Sequence, residues 1–203
     1  MQADINRLRR SRRIPEGVLT RVPPKDQLEP DPEEGEYVVF AAHFDRGFAL
    51  PVNNFTKKFF GDFKLQPHHL PANAILTMST FVTFCEAYVG VVASLRAWAK
   101  YFQFARQTIP KTKTTVQCGA ASVTPRKGSI FPRITGLMSC KKWQRSWFYV
   151  KNQEPKEGEP KVDLINLPNK FKIGPPPSKD NNWDYNPDLE EDKEEIEELK
   201  LID

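Results

Sequence analysis

The spacing of apolar residues changes along the chain, and each change marks an element. Residues 37–40 form a short apolar run, followed by the turn-like Asp45-Arg46-Gly47. Pro51 and Asn53 then offer a helix start. Phe55, Phe59 and Phe63 recur at i, i+4, i+8, with Lys57, Lys58 and Lys64 on other faces, which predicts an amphipathic helix of about three turns. Gln66-Pro67-His68-His69-Leu70-Pro71 punctuates the chain. From Asn73 a second helix is predicted, apolar on nearly every side through Ile75, Leu76, Met78, Phe81, Val82, Phe84, Cys85 and Val89. That is the pattern of a helix at the centre of a core. After Gly90 a third helix is expected, with Leu95, Trp98, Ala99, Phe102 and Ala105 as its buried stripe and Pro110 ending it. The period then shortens to two. Residues 116–124 and 130–134 flank Pro125-Arg126-Lys127-Gly128, which suits a hairpin turn. Pro132 pushes its strand to an edge, and residues 147–150 read as a third strand. The expected fold class is α+β, a mainly helical first half of about three helices followed by a small antiparallel sheet, with disordered termini.

The ends differ from this middle in composition. Of 23 aromatic residues, all but Phe171, Trp183 and Tyr185 lie between Tyr37 and Tyr149, whereas 12 of the 18 prolines fall in residues 1–36 and 154–203. Segments so poor in apolar side chains do not offset the entropy of ordering, roughly 1–2 kcal/mol per residue. The expected organisation is an Arg- and Pro-rich disordered arm at 1–36, a domain at 37–153, and a disordered Pro-rich, acidic tail at 154–203. Charge follows the same division. The domain holds sixteen Lys and Arg against Asp45, Asp62 and Glu86, a balance of +13, while 154–203 balances at −8. So basic a domain attracts polyanions: nucleic acid, an acidic protein partner, or its own acidic tail.

Three scattered cysteines, Cys85, Cys118 and Cys140, make no disulfide framework, and no apolar run precedes the first arginines, so no secretory leader is expected. A reduced intracellular setting follows, nuclear or cytoplasmic. Residues 74–95 carry one charge, Glu86, and are long enough to span a bilayer. Thr77, Ser79, Thr80, Thr83 and Ser94 favour a buried helix and no membrane. A buried Glu86 then needs a neighbouring Arg.

No catalytic pattern is evident. Adjacent His68 and His69 lack metal-ligand spacing, so no metal or other cofactor is expected, and no phosphate-loop, nucleophile-elbow or dinucleotide motif is present. The three carboxylates of the domain show no convergent spacing for acid–base work, and no small-molecule substrate is implied. What remains is basic residues beside aromatics. Lys141, Lys142, Arg145 and Lys151, with Arg126 and Lys127 on the expected hairpin turn, are the candidate nucleic-acid contacts, since Lys and Arg neutralise phosphates. Trp143, Trp147, Phe148 and Tyr149 either stack on bases or fill a core. Arg7, Arg9, Arg10, Arg12 and Arg13 form a candidate nuclear-import or nucleic-acid patch, the bland reading being a solvated tail.

Four strings carry a resemblance: FAAHFDRGFALPVNNF (40–55), LQPHHLPANAILTMSTFVTFCEAYVGV (65–91), LRAWAKYF (95–102) and WQRSWFYVKN (143–152). Together they resemble the putative gypsy-type transposon domain of plants, over roughly 37–153. The domain is often labelled a transposase, yet the resemblance carries over no catalytic residue. The integrase carboxylate triad, the protease Asp-Ser/Thr-Gly, the reverse-transcriptase aspartate pair and the nucleocapsid Cys-His knuckle of such elements are absent from the sequence. Members are frequently longer, which makes a truncated copy or a fragmentary gene model the expectation. The resemblance thus implies a non-enzymatic, retrotransposon-derived protein, capsid-like or nucleic-acid-associated. Non-specific nucleic acid, self-association or an acidic protein partner are the expected contacts. The alternative is a protein-interaction module whose basic face binds an acidic partner or its own tail.

Overall fold

Residues 147–152, the most β-prone stretch of the chain, form the centre of a three-stranded antiparallel sheet. In the computed structural model, which describes residues 1–106, 118–132, 134, 138–155, 157–158 and 160–176, strand β5 (Trp147–Asn152) lies between β1 (Val18–Arg21) and β2 (Glu36–Phe40). The register pairs Val38 with Tyr149, Val39 with Phe148 and Phe40 with Trp147. Alternation along the strands therefore sends Val39, Phe148 and Val150 into the main core and Val38, Phe40, Trp147 and Tyr149 into a second, smaller cluster on the other face. A central strand buried on both faces reads as a continuous apolar run, as this one does.

The helices cover the main face. α2 (Ala41–Phe44) is a single turn that continues β2. In α3 (Asn54–Asp62) the side chain of Asn53 accepts the N–H of Thr56 as a cap, and the i, i+4 spacing buries Phe55 and Phe59, with Phe63 just beyond. α4 (Ala72–Thr83) buries Ile75, Met78, Phe81 and Val82. α5 (Leu95–Tyr101) is capped by Ser94 and places Trp98 against Phe55, Phe59 and Phe81. At Gly47 the backbone has φ 97° and an added Cβ would run into Ser79, so only glycine serves there.

Several expectations change. The arm at 1–36, expected to be disordered, carries α1 (Gln2–Arg10) and β1, with Ile5, Leu8, Ile14 and Val18 at most 2% exposed. Its apolar residues are few, but Ile5 and Leu8 share a helix face and Val18 enters the sheet. On the C-terminal side, the described residues of 154–163 are exposed but the stretch that follows is packed, with Ile165 and Leu167 buried; residues 156, 159 and 177–203 lie outside the described residues.

The third helix stops at Tyr101 and β3 (Phe102–Arg106) follows. Phe-Gln-Phe-Ala-Arg fits a two-residue period as well as a helical stripe. Phe102 stacks on Trp98 at 4.4 Å while Phe104 lies against Phe59 and Phe63. The expected hairpin does not form either: β4 (Ala121–Pro125) pairs antiparallel with β3. The Arg126 guanidinium donates to the carbonyls of Ala99 and Phe102, which ties the end of β4 to the α5–β3 joint. Phe131, expected in a strand with Pro132, folds onto Phe81, Phe84 and Phe102 instead. Residues 116, 117 and 133 of that expectation lie outside the described residues.

Glu86 needs no buried partner, because α4 gives way to a π-helical turn (Phe84–Val89) that ends at left-handed Gly90 and leaves Glu86 exposed. Among the described residues no helix is long and apolar enough to cross a membrane.

Candidate functional site

Lys141, Lys142 and Arg145 come together on one short connection before β5. A 3-10 turn (Trp143–Arg145) starts at Lys142, whose backbone is left-handed at φ 62°, unusual for a residue with a side chain. The turn draws Trp143 inward while Lys141, Lys142 and Arg145 stay exposed. Trp143 stacks on His43 at 4.9 Å and meets Phe40 edge-on at 5.0 Å. Lys141, Lys142 and Trp143 line a shallow cleft of about 350 Å³ with Cys140, Asn73 and Pro71. The first turn of α4 forms its opposite wall. Pro71, its N-cap residue, supplies no side-chain cap, so the positive end of the helix adds to the potential of the lysines. None of the ion pairs among the described residues involves these three cations.

The other candidate cations are placed elsewhere. Arg126 is spent on the carbonyls of Ala99 and Phe102. Lys127 is exposed on the turn after β4. Lys151 sits near the far end of β5, six residues and roughly 20 Å from Arg145 along an extended chain. There its side chain lies over Gly35, and its charge helps to hold the Glu36 carboxyl low. The structure therefore brings together three of the six expected contacts.

The arginine run at the N-terminus is largely built into the fold. Arg7 pairs with Asp45 at 2.5 Å, and this hydrogen bond raises its pKa. Arg9 donates to Val18 O at 2.7 Å and to Thr20 Oγ1 at 3.3 Å, and Arg13 donates to Phe44 O at 2.6 Å. Arg10 and Arg12 are exposed.

The aromatic half of the expected interface is core. Trp147 is 6% exposed and Phe148 and Tyr149 are fully buried. Tyr149 OH accepts the N–H of Asp31 at 2.8 Å, and Arg21 lies over its ring at 3.9 Å while bridging to Glu36. The hydrogen bond from Arg21 holds the Glu36 carboxyl below its usual range.

The histidines are buried in a cluster, and His69 also serves as a cap through Gln66. His68 and His69 occupy a 3-10 turn (Pro67–His69), their rings 4.1 Å apart. Gln66 N–H donates to His69 Nδ1 at 3.1 Å, and His43 Nε2–H donates to Leu70 O at 3.2 Å. Among the described residues, His43 Nδ1 meets no hydrogen-bond partner, and the ring nitrogens left over on His68 and His69 have only the nearby Gly174 backbone. Burial pushes His43 down to about 3, His68 to about 2 and His69 to about 4, so all three are neutral at pH 7. Burial also pushes the Cys118 thiol up to about 12. Among the described residues no group of three or more His, Cys, Asp or Glu is arranged to hold a metal ion. Asp45, Asp62 and Glu86 stand on three different elements, with Asp45 engaged by Arg7. The signal for the cluster was present in the sequence, as Gln66 and His69 stand at the three-residue spacing that closes a reciprocal cap.

Neither the curated proteins nor the solved structures give a match to this chain. A family model does match, over 38–106, from β2 through β3. The string at 143–152, and with it the exposed basic turn, lies outside the matched stretch. Over that stretch, about a third of the chain, the sequence is similar to the family described as putative gypsy type transposon, which supports a retrotransposon-related protein.

Proposed function

We propose that the protein is a non-enzymatic, retrotransposon-derived binder of nucleic acid, plant in origin as its sequence resemblance implies, which contacts phosphates through Lys141, Lys142 and Arg145. The observation that carries this reading is three exposed cations within five residues, in no ion pair among the described residues, beside the uncapped positive end of α4. Such an arrangement neutralises backbone phosphates. Trp147, Phe148 and Tyr149 are buried and Trp143 is stacked on His43, so base stacking contributes little. Readout is therefore through charge, and unrelated sequences bind alike. The expected outcome is binding at low salt to labelled duplexes of unrelated sequence with closely similar affinities. Fluorescence anisotropy checks this, with polyglutamate as a competing polyanion. Affinity no better than millimolar would sink the proposal. Preference for polyglutamate would reassign the basic turn to an acidic protein partner.

A further inference from the structure

Residues 163–176 leave the sheet after β5 and cross the buried histidines, held by side chains that grip the backbone. Asn152 Oδ1 accepts the N–H groups of Leu164 and Ile165 at 2.9 and 3.1 Å. The Asn166 side chain exchanges two hydrogen bonds with the backbone of Val52, and Asn169 Nδ2 donates to the carbonyls of Phe60 and Leu65. Gln66 Oε1 accepts the N–H of Lys172 at 2.7 Å. The Phe171 ring then lies 4.9 Å from His68, and the backbone of Gly174 lies against both His68 and His69. This segment contributes buried Ile165 and Leu167 to the main core, with partly buried Leu164 packed against it.

We infer that residues 163–176 form an acid-released strap, which closes over neutral His68 and His69 and opens when the two rings take up protons. Closed, the strap sets Phe171 and the Gly174 backbone against rings that are at most 2% exposed. Open, both rings are solvated and regain their ordinary pKa of about 6.5. The open form then binds more protons, so opening is favoured as pH falls below about 6.5 and disfavoured above it. The groups facing the pair do not offset this. They are His43 on α2, which is itself neutral, and the neutral Cys118 thiol in the adjoining cluster; among the described residues no carboxylate acts on any of the three rings. The charged residues nearest in sequence to the packed groups are Asp45, Lys142, Lys170 and Lys172, and all four are exposed. His43 lies under Trp143 and is bonded to Leu70, so it stays covered when the strap lifts. Opening therefore takes up two protons, whereas unfolding takes up three. The inference does not depend on what the basic turn binds.

Amide hydrogen exchange on the full chain between pH 7.5 and 5, corrected for intrinsic rates, tests it. The opening constant reported by the amides of Leu164, Ile165 and Lys172 is expected to rise up to about 100-fold per pH unit below 6.5, while the β5 amides hold their protection to lower pH. Replacing both rings, His68→Gln with His69→Gln, is expected to flatten that dependence. Phe171→Ala, which keeps both histidines, is expected to speed strap exchange at every pH with the slope intact. Strap and β5 amides losing protection together in the unsubstituted chain, or strap exchange with no pH dependence, would overturn the inference.

Discussion

Two basic runs of similar density have opposite fates in this molecule. In α1 and the residues after it, five arginines fall within seven positions, yet Arg7, Arg9 and Arg13 are bound to Asp45, Val18 O and Phe44 O. In the turn before β5, three cations fall within five positions and none joins an ion pair among the described residues. The first run serves the fold, since its guanidiniums satisfy carbonyls at the end of α2 and on the edge strand β1. The second is left to solvent. Density of charge does not separate a structural run from a binding run. What separates them is whether backbone acceptors lie within reach.

Acid should abolish the distinction first, through the fold that both runs share. Each buried histidine has a folded pKa below its unfolded value. Its contribution is therefore intact above pH 6.5 and is lost as pH falls from there toward about 4, 3 and 2 for His69, His43 and His68. Three such groups cost about 4 kcal/mol per pH unit together. Global unfolding followed by tryptophan fluorescence is expected to reach its midpoint above pH 4, and stability unchanged from pH 7 to 4.5 would show the rings to be solvated. The next largest effect is Leu8→Ala. Leu8 is fully buried on α1, and truncation should cost about 2–5 kcal/mol in urea unfolding. A solvated arm would show no loss. A smaller effect is expected of Arg13→Ala, about 1–3 kcal/mol, because it removes the charged donor to the Phe44 carbonyl, which keeps only the longer bond from Gly47 N–H at 3.3 Å. Lys142→Ala should change stability by less than about 0.5 kcal/mol, as for other exposed side chains without partners. A larger loss in the same unfolding experiment would mean that Lys142 holds the turn.

Much of the helical core was legible in the sequence because local chemistry decides it. Asn53 and the Phe55-Phe59-Phe63 spacing specify α3 without reference to the rest of the chain, and the run at 147–150 specifies a buried strand. The family stretch was legible too, since 38–106 holds most of the quoted strings. Three features were not. Residues 102–106 satisfy both periods, and only Phe59, Phe63 and the partner strand β4 select the extended form. The arm folds because its arginines find acceptors 9 to 38 residues away, which no local pattern announces. The histidine pair reads as polar and loop-like, yet its burial is set by a strap that begins nearly a hundred residues later. The basic turn was legible as charge but not as a site. Its aromatic neighbours carried the hint of base stacking, and they belong to the core.

The contrast between the two runs rests on one claim, that Lys141, Lys142 and Arg145 meet phosphates while Arg9 and Arg13 hold the fold. The salt dependence of duplex binding, measured beside thermal unfolding, tests it most directly. Each phosphate contact contributes about −0.9 to the slope of log affinity against log salt. With Lys141, Lys142 and Arg145 all changed to Ala, the slope is expected to fall in magnitude by two to three units, with the melting temperature nearly unchanged. With Arg9 and Arg13 changed to Ala, the melting temperature should fall while the slope, measured below that temperature, stays as it was. A triple variant whose slope equals that of the unsubstituted protein would contradict the account.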